Sequence, residues 1–387
     1  MDSSMKVLFW IFTFLIIYTM IGYPILLQFL SKVLPHKKLQ VTSTYNPTVT
    51  IIVPAHNEES VIEKKILNLL DLNFTNNKFD IIIASDNSTD GTNEIVKKYA
   101  SKYPHKVSLY KVRDRKGKTN AQDEAVNHAS GEVIIFTDAN SMLDRESANQ
   151  LVLSLSDKNV GYVAGKLIYT NDKENITSQS ESSYWDIDLY MRKIESGLSS
   201  ITAGNGSIYA VRKKDYMVID PIYSHDSVFP PKFVISGKRA IYNENALAFE
   251  KAGETDEDEF QRKVRMSRKI IMINFIDFEK YNFFKYGLFT LFYFSHRTLR
   301  NNLYFMHIVV FLLNLILVIT TKNTSFTILL IGQLLIYFTS FFGRKSENKY
   351  IKFLSYYIVT ILAQLVGAIK EISGKSKPFW EKAESTR

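Results

Sequence analysis

The sequence predicts an α/β domain with a mainly parallel sheet, flanked by membrane-spanning helices. Short apolar runs alternate with amphipathic segments across residues 46–275. Strand–helix alternation with short connections is typical of right-handed crossovers between parallel strands. Long apolar runs lie on both sides of this region. We therefore divide the chain into an N-terminal membrane helix with its linker (1–45), the α/β domain (46–275) and a C-terminal membrane part with a basic tail (276–387).

Each predicted element is a segment whose apolar residues repeat with a strand or a helix period. The predicted strands are 48–53, 80–84, 107–112, 133–137, 160–168, 208–211 and 240–243. The predicted helices are 58–72, 92–103, 119–129, 146–155, 175–198 and 255–274.

Composition narrows the classes of partner and site. The chain has 387 residues and a net charge of +9, from 48 Lys and Arg against 39 Asp and Glu. Such a charge suits an anionic membrane face, phosphorylated substrates or nucleic acid. No basic block with interleaved aromatic residues is present, so we expect no nucleic acid partner. The chain has no Cys, which excludes disulfides and thiolate metal sites.

Residues 7–30 predict the first membrane span, because this run has no formal charge and Gln28 is its one strongly polar residue. The run is too long for a cleaved signal peptide and is followed by no small-residue cleavage site. Basic residues follow it at Lys32, Lys37 and Lys38. The positive-inside tendency therefore places the N-terminus outside and the α/β domain in the cytoplasm. We expect an integral protein of the inner or plasma membrane.

The C-terminal part predicts an interfacial aromatic helix over 283–294 and further spans over 303–319, 326–342 and 353–369. Counting these crossings puts the tail outside, whereas its basic residues favour the inside. Those residues are Lys370, Lys375, Lys377, Lys382 and Arg387. The conflict disappears if 283–294 is re-entrant, if one late segment does not cross, or if the tail is an exception, and the sequence leaves these alternatives open.

Polar residues follow three of the predicted strands at the point where each ends. They are the stretches 53–59, 85–92 and 137–140. The carboxyl ends of parallel strands share one edge, where α/β sheets bind ligands. Asp138 and Asn140 offer oxygen ligands to a hard cation such as Mg²⁺, which takes its other ligands from phosphate and water. Alternatively, both residues only cap the next helix.

These stretches resemble motifs of glycosyltransferase family 2, an inverting group with the GT-A fold. Residues 54–59 match its Pro-Ala-x-Asn-Glu-Glu pattern, and 117–121 match Gly-Lys-x-x-Ala. Residues 85–92 match Asp-Asp-Gly-Ser-Thr-Asp-Gly-Thr except that Ser85 replaces the first Asp and Asn87 the Gly. Residues 138–140 match the Asp-Ala-Asn form of the metal motif.

The resemblance continues on the acceptor side. Residues 204–207 resemble the Gly-rich turn, and His225-Asp226 resembles the catalytic acidic pair with His in the first place. Processive members carry Gln-x-x-Arg-Trp, whereas this chain has Gln261 and Arg265 on one helix face and no Trp after Arg265.

The resemblance implies a role for each matched residue. Asp226 is the expected general base. The expected nucleotide contacts are Ala55, Glu58, Asp86, Lys118 and Asp138. The expected acceptor or diphosphate contacts are Gly204, Asn205, Gly206, Gln261 and Arg265. Asp138 and Asn140 are the expected ligands of Mg²⁺ or Mn²⁺, with the neutral Asn140 weakening the site where many members have Asp.

We therefore expect a membrane glycosyltransferase that transfers a sugar from a nucleotide-sugar and inverts its anomeric carbon. The expected donor is a UDP-sugar. The acceptor is a growing glycan or a lipid-linked molecule in cell-envelope polysaccharide or glycolipid synthesis. Single-sugar transfer to a polyprenyl phosphate or glycolipid carrier is the alternative within the enzyme class. A non-catalytic nucleotide sensor or a transporter is the alternative from another class, although the spans carry few of the charges that transport pathways need.

Overall fold

The computed structural model describes residues 2–74, 79–170, 176–251, 256–343, 346 and 348–379. One eight-stranded sheet forms its centre. The strands are β1 Val49–Ala55, β2 Phe79–Ser85, β3 Val107–Lys111, β4 Val133–Thr137, β5 Met142–Leu143, β6 Val160–Tyr169, β7 Ile208–Arg212 and β8 Arg239–Glu250.

The α-helices of the described chain divide between the sheet and the membrane part. They are α1 Asp2–Ile17, α2 Tyr23–Val33, α3 Glu59–Leu70, α4 Thr92–Lys102, α5 Lys118–His128, α6 Ser147–Leu155, α7 Ile176–Leu198, α8 His225–Ile235, α9 Asp256–Met266, α10 Phe283–Tyr286, α11 Leu288–Phe292, α12 Leu303–Thr321, α13 Thr324–Phe342 and α14 Lys349–Ile372.

The sheet has the order β3-β2-β1-β4-β7-β6-β8-β5. Strands β3, β2, β1 and β4 are parallel, with Ala55 level with Ser85 and Ile52 level with Phe136. The antiparallel strand β7 joins β4 to the parallel pair β6 and β8. The predicted α/β class is confirmed, and the sheet is mixed because β7 and the short, unpredicted β5 run antiparallel to their neighbours.

Alternate residues of the central strands point into two separate cores. One face packs Ile51, Val53 and Ile135 against α3, α4 and α6. The other packs Ile52, Ile134 and Phe136 against α5 and α8. These strands are buried on both faces, as parallel strands covered by helices usually are, and this explains their continuous apolar runs.

Two regions differ from the sequence-based expectations. Helix α8 was not predicted, because Pro230 and Pro231 lie inside it and proline normally disrupts a helix interior. The expected interfacial helix over 283–294 is broken at Gly287, whose φ is 53°. It forms the short helices α10 and α11, and a π-helical turn follows over Tyr293–Leu299.

Within the described residues, four helices are long and apolar enough to cross a membrane. They are Ser3–Val33, Leu303–Thr321, Thr324–Phe342 and Tyr350–Ile372. The first joins α1 to α2 through a π-helical turn at Tyr18–Gly22 and packs on α12. Membrane-spanning capacity on both sides of the sheet is therefore present where the sequence predicted it.

Helix α14 lies against the sheet domain at both ends. Near its start, the Tyr356 hydroxyl donates to Glu259 Oε1 on α9 at 3.2 Å. At its end, the Glu371 carboxylate accepts the backbone N–H groups of Ile271 and Met272 at 2.8 and 3.0 Å. A helix that crossed the bilayer would carry one end away from the domain. These contacts favour the alternative in which one late segment does not cross.

The tail that follows α14 also reaches the sheet domain. Arg268 Nη1 donates to the carbonyls of Lys377 and Pro378 at 3.0 and 2.7 Å. The Arg115 guanidinium stacks over the Phe379 ring at 4.8 Å. Two tail charges used in the topology argument, Lys382 and Arg387, lie outside the described residues.

We predict that the tail and the sheet domain lie on the same side of the membrane. Single cysteines are readily introduced because the chain has none. Lys375→Cys should react with an impermeant thiol reagent from the same side as Ser101→Cys on α4. Ser325→Cys, at the start of α13, should react from the opposite side. Labelling of Lys375→Cys together with Ser325→Cys would show that α14 crosses.

Candidate functional site

The loops that follow β1 and β2 are tied together at the carboxyl edge of the sheet. The Asp86 N–H donates to the Ala55 carbonyl at 2.8 Å. The Glu58 N–H donates to Thr92 Oγ1, and the Thr89 N–H donates to Asn57 Oδ1, each at 2.8 Å. Ala55, Glu58 and Asp86 are thereby held as one rigid rim of the site.

The Asp86 carboxylate organises a third loop. Its two oxygens accept the N–H groups of Lys116 and Gly117 at 3.1 and 2.9 Å. Burial raises the pKa of Asp86, and these two hydrogen bonds oppose the increase. Gly117 has a φ of 93°, a conformation that L side chains rarely adopt. Asp86 thus fixes the turn from which α5 begins.

Lys118, the first residue of α5, brings three predicted site residues together. Its ammonium group forms an ion pair with the Asp138 carboxylate and donates to the Gly206 carbonyl at 3.3 Å. A Cβ on Gly206 would lie 2.8 Å from Lys118 Nζ, so a larger residue would displace this ammonium group. The Lys118 and Asp138 side chains are 24% and 27% exposed and are therefore accessible to a ligand.

Beneath Asp138 lies Lys65 of α3, which is 0% exposed. Its ammonium group donates to Thr137 Oγ1 at 2.9 Å and to the Ser141 carbonyl. Burial lowers the pKa of Lys65 to about 7, although Asp138 and Glu250 raise it in part. The turn that carries Asp138 and Asn140 is thus supported from inside the domain.

The expected base, Asp226, lies in the first turn of α8, half-buried. Its backbone carbonyl would normally accept the N–H of residue 230, but Pro230 has none. The Gly204 N–H donates to this carbonyl instead, at 2.7 Å. Pro230, which argued against a helix in the sequence, therefore leaves the Asp226 carbonyl free to bind the Gly-rich turn.

Asp226 interacts electrostatically with two arginine side chains and one tyrosine. Burial lowers the pKa values of Arg268 and Arg297, and Asp226 opposes both decreases. Burial also raises the pKa of the Tyr162 phenol well above its usual value, and Asp226 adds to the increase. The Arg297 Nε atom is buried without a hydrogen-bond partner. One carboxylate and two guanidinium groups thus share this side of the site.

His225 is buried at the start of α8. Its Nδ1 lies 2.7 Å from the Tyr209 hydroxyl, and its Nε2 lies 2.9 Å from Asp123 Oδ1. Its ring stacks on Phe229 with 4.2 Å between centroids. These contacts favour the role of a partner that orients the start of α8 over that of a surface residue.

A buried polar network joins the Gly-rich turn to the membrane part. Arg192 of α7 donates to the Gly204 carbonyl and pairs with Asp188, both at 2.6 Å. Asp188 also pairs with Arg300 at 2.8 Å, and the Tyr23 hydroxyl of α2 donates to Glu195 at 2.6 Å. His296 lies between the two acids, 3.1 Å from Asp188 and 2.7 Å from Glu195.

The remaining predicted residues are Asn140, Asn205, Gln261 and Arg265. Asn140 is half-buried on the same turn as Asp138, and Asn205 caps the start of β7 by accepting the N–H groups of Ser207 and Ile208, each at 3.1 Å. Gln261 is exposed and donates to Glu257 on its own helix at 2.7 Å. Arg265 is half-buried. In this region Asp226 raises the pKa of Arg268, which the sequence did not assign to the site.

The oxygen donors fit a shared cation better than a protein-only metal centre. Among the described residues, no group of three or more His, Asp or Glu side chains is arranged to hold a metal. Asp138 and Asn140 offer one carboxylate and one amide. Such a pair suits Mg²⁺ or Mn²⁺ that receives its other ligands from phosphate and water.

Comparison with known families identifies the sheet domain. Residues 50–219 match the model of glycosyl transferase family 2. The chain carries a family 2 glycosyltransferase domain. The match includes the loops after β1, β2 and β4 and the Gly-rich turn. Asp226 and the long apolar helices after it lie beyond the matched range.

Two relatives of the family 2 domain illustrate its range. The chain is 29% identical over 169 residues to the beta-monoglucosyldiacylglycerol synthase of Nostoc sp. (strain PCC 7120), covering 43% of this chain and 36% of that protein. It is 32% identical over 136 residues to the probable glycosyltransferase YdaM of Bacillus subtilis (strain 168), covering 34% of this chain and 32% of that protein. The chain thus spans about a third of the length of these relatives.

A solved structure confirms the GT-A fold. The mannosyltransferase PcManGT from Pyrobaculum calidifontis, in complex with GDP-Man and Mn²⁺, superposes with a TM-score of 0.73 at 20% identity. The likeness covers 95% of this chain and 99% of that one. It therefore extends beyond the family 2 domain to the helices on both sides.

Several residues of the site were not predicted from the sequence. They are Lys65, Asp123, Tyr162, Arg192, Glu250, Arg268 and Arg297. Lys65 did carry a signal, since it lies at helical spacing between Ile62 and Leu69 on the buried stripe of α3. Asp123 carried the same signal on α5, between the buried Thr119 and Val126. The others come together only through tertiary contacts.

We predict that His225→Phe destabilises the protein while keeping the ring stacked on Phe229. The substitution leaves the buried groups of Tyr209 and Asp123 without their His225 partner, at a cost of about 1–3 kcal/mol. Thermal unfolding should show a Tm several degrees lower. His128→Phe, at the exposed end of α5, is the matched control and should change little. Equal Tm values for the two variants would contradict the positioning role of His225.

Proposed function

We propose that this protein is an inverting glycosyltransferase that moves a sugar from a nucleotide-sugar to a glycan or lipid-linked acceptor at a membrane surface. The main supporting observation is the convergence at Lys118, whose ammonium group contacts both Asp138 and the Gly206 carbonyl. A donor-side motif and the Gly-rich turn therefore meet at one point. Such a meeting point is what transfer between two substrates requires.

The donor lies at the carboxyl edge of β1, β2 and β4. Its base and ribose contact Ala55, Glu58 and Asp86, and its diphosphate lies against Lys118. A bound Mg²⁺ or Mn²⁺, held by Asp138 and Asn140, would act as a Lewis acid toward the leaving diphosphate. The donor is a UDP-sugar in this proposal. The alternative is a nucleotide-sugar with another base, such as a GDP-sugar. The experiment below distinguishes the two.

The reaction needs one base and a stabilised leaving group. The Asp226 carboxylate accepts the proton of the acceptor hydroxyl as that oxygen attacks the anomeric carbon. The bond to the diphosphate breaks on the opposite face, which inverts the carbon. Asp226 raises the pKa values of Arg268 and Arg297 against the effect of burial, and Lys118 remains near the departing phosphates. Gln261 and Arg265 extend the same acceptor or diphosphate surface.

The acceptor arrives from the membrane side. This part of the proposal rests on Gly204, whose carbonyl is bound by Arg192 and whose N–H is bound by the Asp226 carbonyl. Arg192 belongs to the network that contains Tyr23 of α2 and Arg300, which precedes α12. The Gly204–Gly206 turn is thus anchored to membrane-facing elements, as expected for a glycolipid or a growing cell-envelope glycan. The domain lies on the cytoplasmic face.

The direct test is release of nucleoside diphosphate by the protein in lipid vesicles, with a panel of UDP- and GDP-sugars, with and without Mn²⁺. Lipid extract supplies the acceptor. One donor should give release, and Asp226→Asn should reduce it by about 10²-fold or more, because the base is lost. Nucleotide binding should be nearly unchanged in this variant.

The matched control is Asp220→Asn, an exposed acid in the segment before α8. It should leave release unchanged. Equal release by Asp226→Asn and the wild type would remove Asp226 from the reaction. Binding of UDP or GDP without release from any donor would favour a nucleotide sensor. Failure to bind either nucleotide would contradict the proposed site as a whole.

A further inference from the structure

The turn that carries Asp138 and Asn140 is held at both of its ends by one buried side chain. Lys65 donates to Thr137 Oγ1, just before the turn, and to the Ser141 carbonyl, just after it. Thr137 and Ser141 are both 0% exposed, as is Lys65 itself. Burying an ammonium group away from water costs free energy unless the group forms its hydrogen bonds inside the protein. The turn therefore has one low-energy position relative to α3.

Glu250, at the end of β8, holds the same turn from the other side. Its Oε1 atom accepts the Ser141 hydroxyl and the Ser207 hydroxyl, the latter at 2.6 Å. Ser141 directly follows the turn that carries Asp138 and Asn140, here called the donor-side turn, and Ser207 belongs to the Gly-rich turn. Glu250 thus fixes the separation of the two turns, while Lys65 fixes the donor-side turn on the domain.

We propose that Lys65 is a positioning residue for the diphosphate and cation subsite. Together with Glu250, which accepts the Ser141 hydroxyl, it sets where the Asp138 carboxylate and the Asn140 amide face the donor. Lys65 acts through Thr137 and Ser141 and does not touch the substrate. This inference rests on the proposed function, because it assumes that Asp138 and Asn140 face a nucleotide diphosphate.

A purely structural lysine would give a different result. Its loss would lower stability and leave the folded protein with the same nucleotide affinity and the same requirement for the cation. A positioning lysine affects the subsite itself. Misplacement of a binding group by about 1 Å costs roughly 10²-fold in rate, and a smaller effect is expected on binding.

The experiment measures binding of UDP and of GDP to the full-length protein in detergent across a Mn²⁺ titration, with thermal unfolding in parallel. Lys65→Met keeps the length of the side chain and removes its charge and donors. We expect its Kd for the nucleotide to rise about tenfold and the Mn²⁺ concentration for half-maximal binding to rise with it. Lys64→Met, at the exposed neighbouring position on α3, should match the wild type in both quantities.

A second variant keeps the test decisive if Lys65→Met does not fold. Thr137→Val has the same shape as the wild-type residue, removes one acceptor of Lys65, and should shift both quantities in the same direction. Folded Lys65→Met, or Thr137→Val in its place, with an unchanged Kd and Mn²⁺ requirement would overturn the inference and leave the proposed function intact. A wild-type protein that binds neither UDP nor GDP would overturn both.

Discussion

Parallel strand pairing is the constraint on which the site depends. Since β1, β2 and β4 run in one direction, their carboxyl ends must meet at one edge, although they are far apart in sequence. The loops that leave this edge have few alternatives, because they bind one another. The Asp86 N–H bonds to Ala55, and the Asp86 carboxylate bonds to the turn at Lys116 and Gly117. Lys118 follows that turn, and its ammonium group therefore lies against the Asp138 carboxylate.

A second constraint joins this rim to the membrane part. The Gly204 turn is bound on one side by the Asp226 carbonyl and on the other by Arg192. Buried charges such as those of Asp188 and Glu195 persist only when paired, and here their partners come from α7, from the turn at Tyr293–Leu299 and from α2. A shift of α2 or of the turn at Tyr293–Leu299 therefore affects the Gly204 turn.

The strands and the shared edge could be predicted from the sequence, because they depend on local patterns of apolar and polar residues. The apolar runs at Ile51 and Ile135 predict buried strands, and the polar residues after them predict the shared edge. Pro230 argued against α8, because its missing N–H is costly in an isolated helix. The structure uses the freed Asp226 carbonyl to bind Gly204, a tertiary contact with no local signal. Lys65 was overlooked for a related reason, since a lysine on an apolar stripe is stable only when distant acceptors meet it.

The most direct measurement is an experimentally determined structure of the protein with a bound nucleoside diphosphate and Mn²⁺. The account predicts the diphosphate against Lys118, with the cation shared between its phosphates and the turn of Asp138 and Asn140, and the base near Asp86. Asp226 should lie across the sugar-binding position from the diphosphate, where the acceptor hydroxyl would attack. A nucleotide bound away from the carboxyl edge of β1, β2 and β4, or a cation bound without Asp138, would contradict the account.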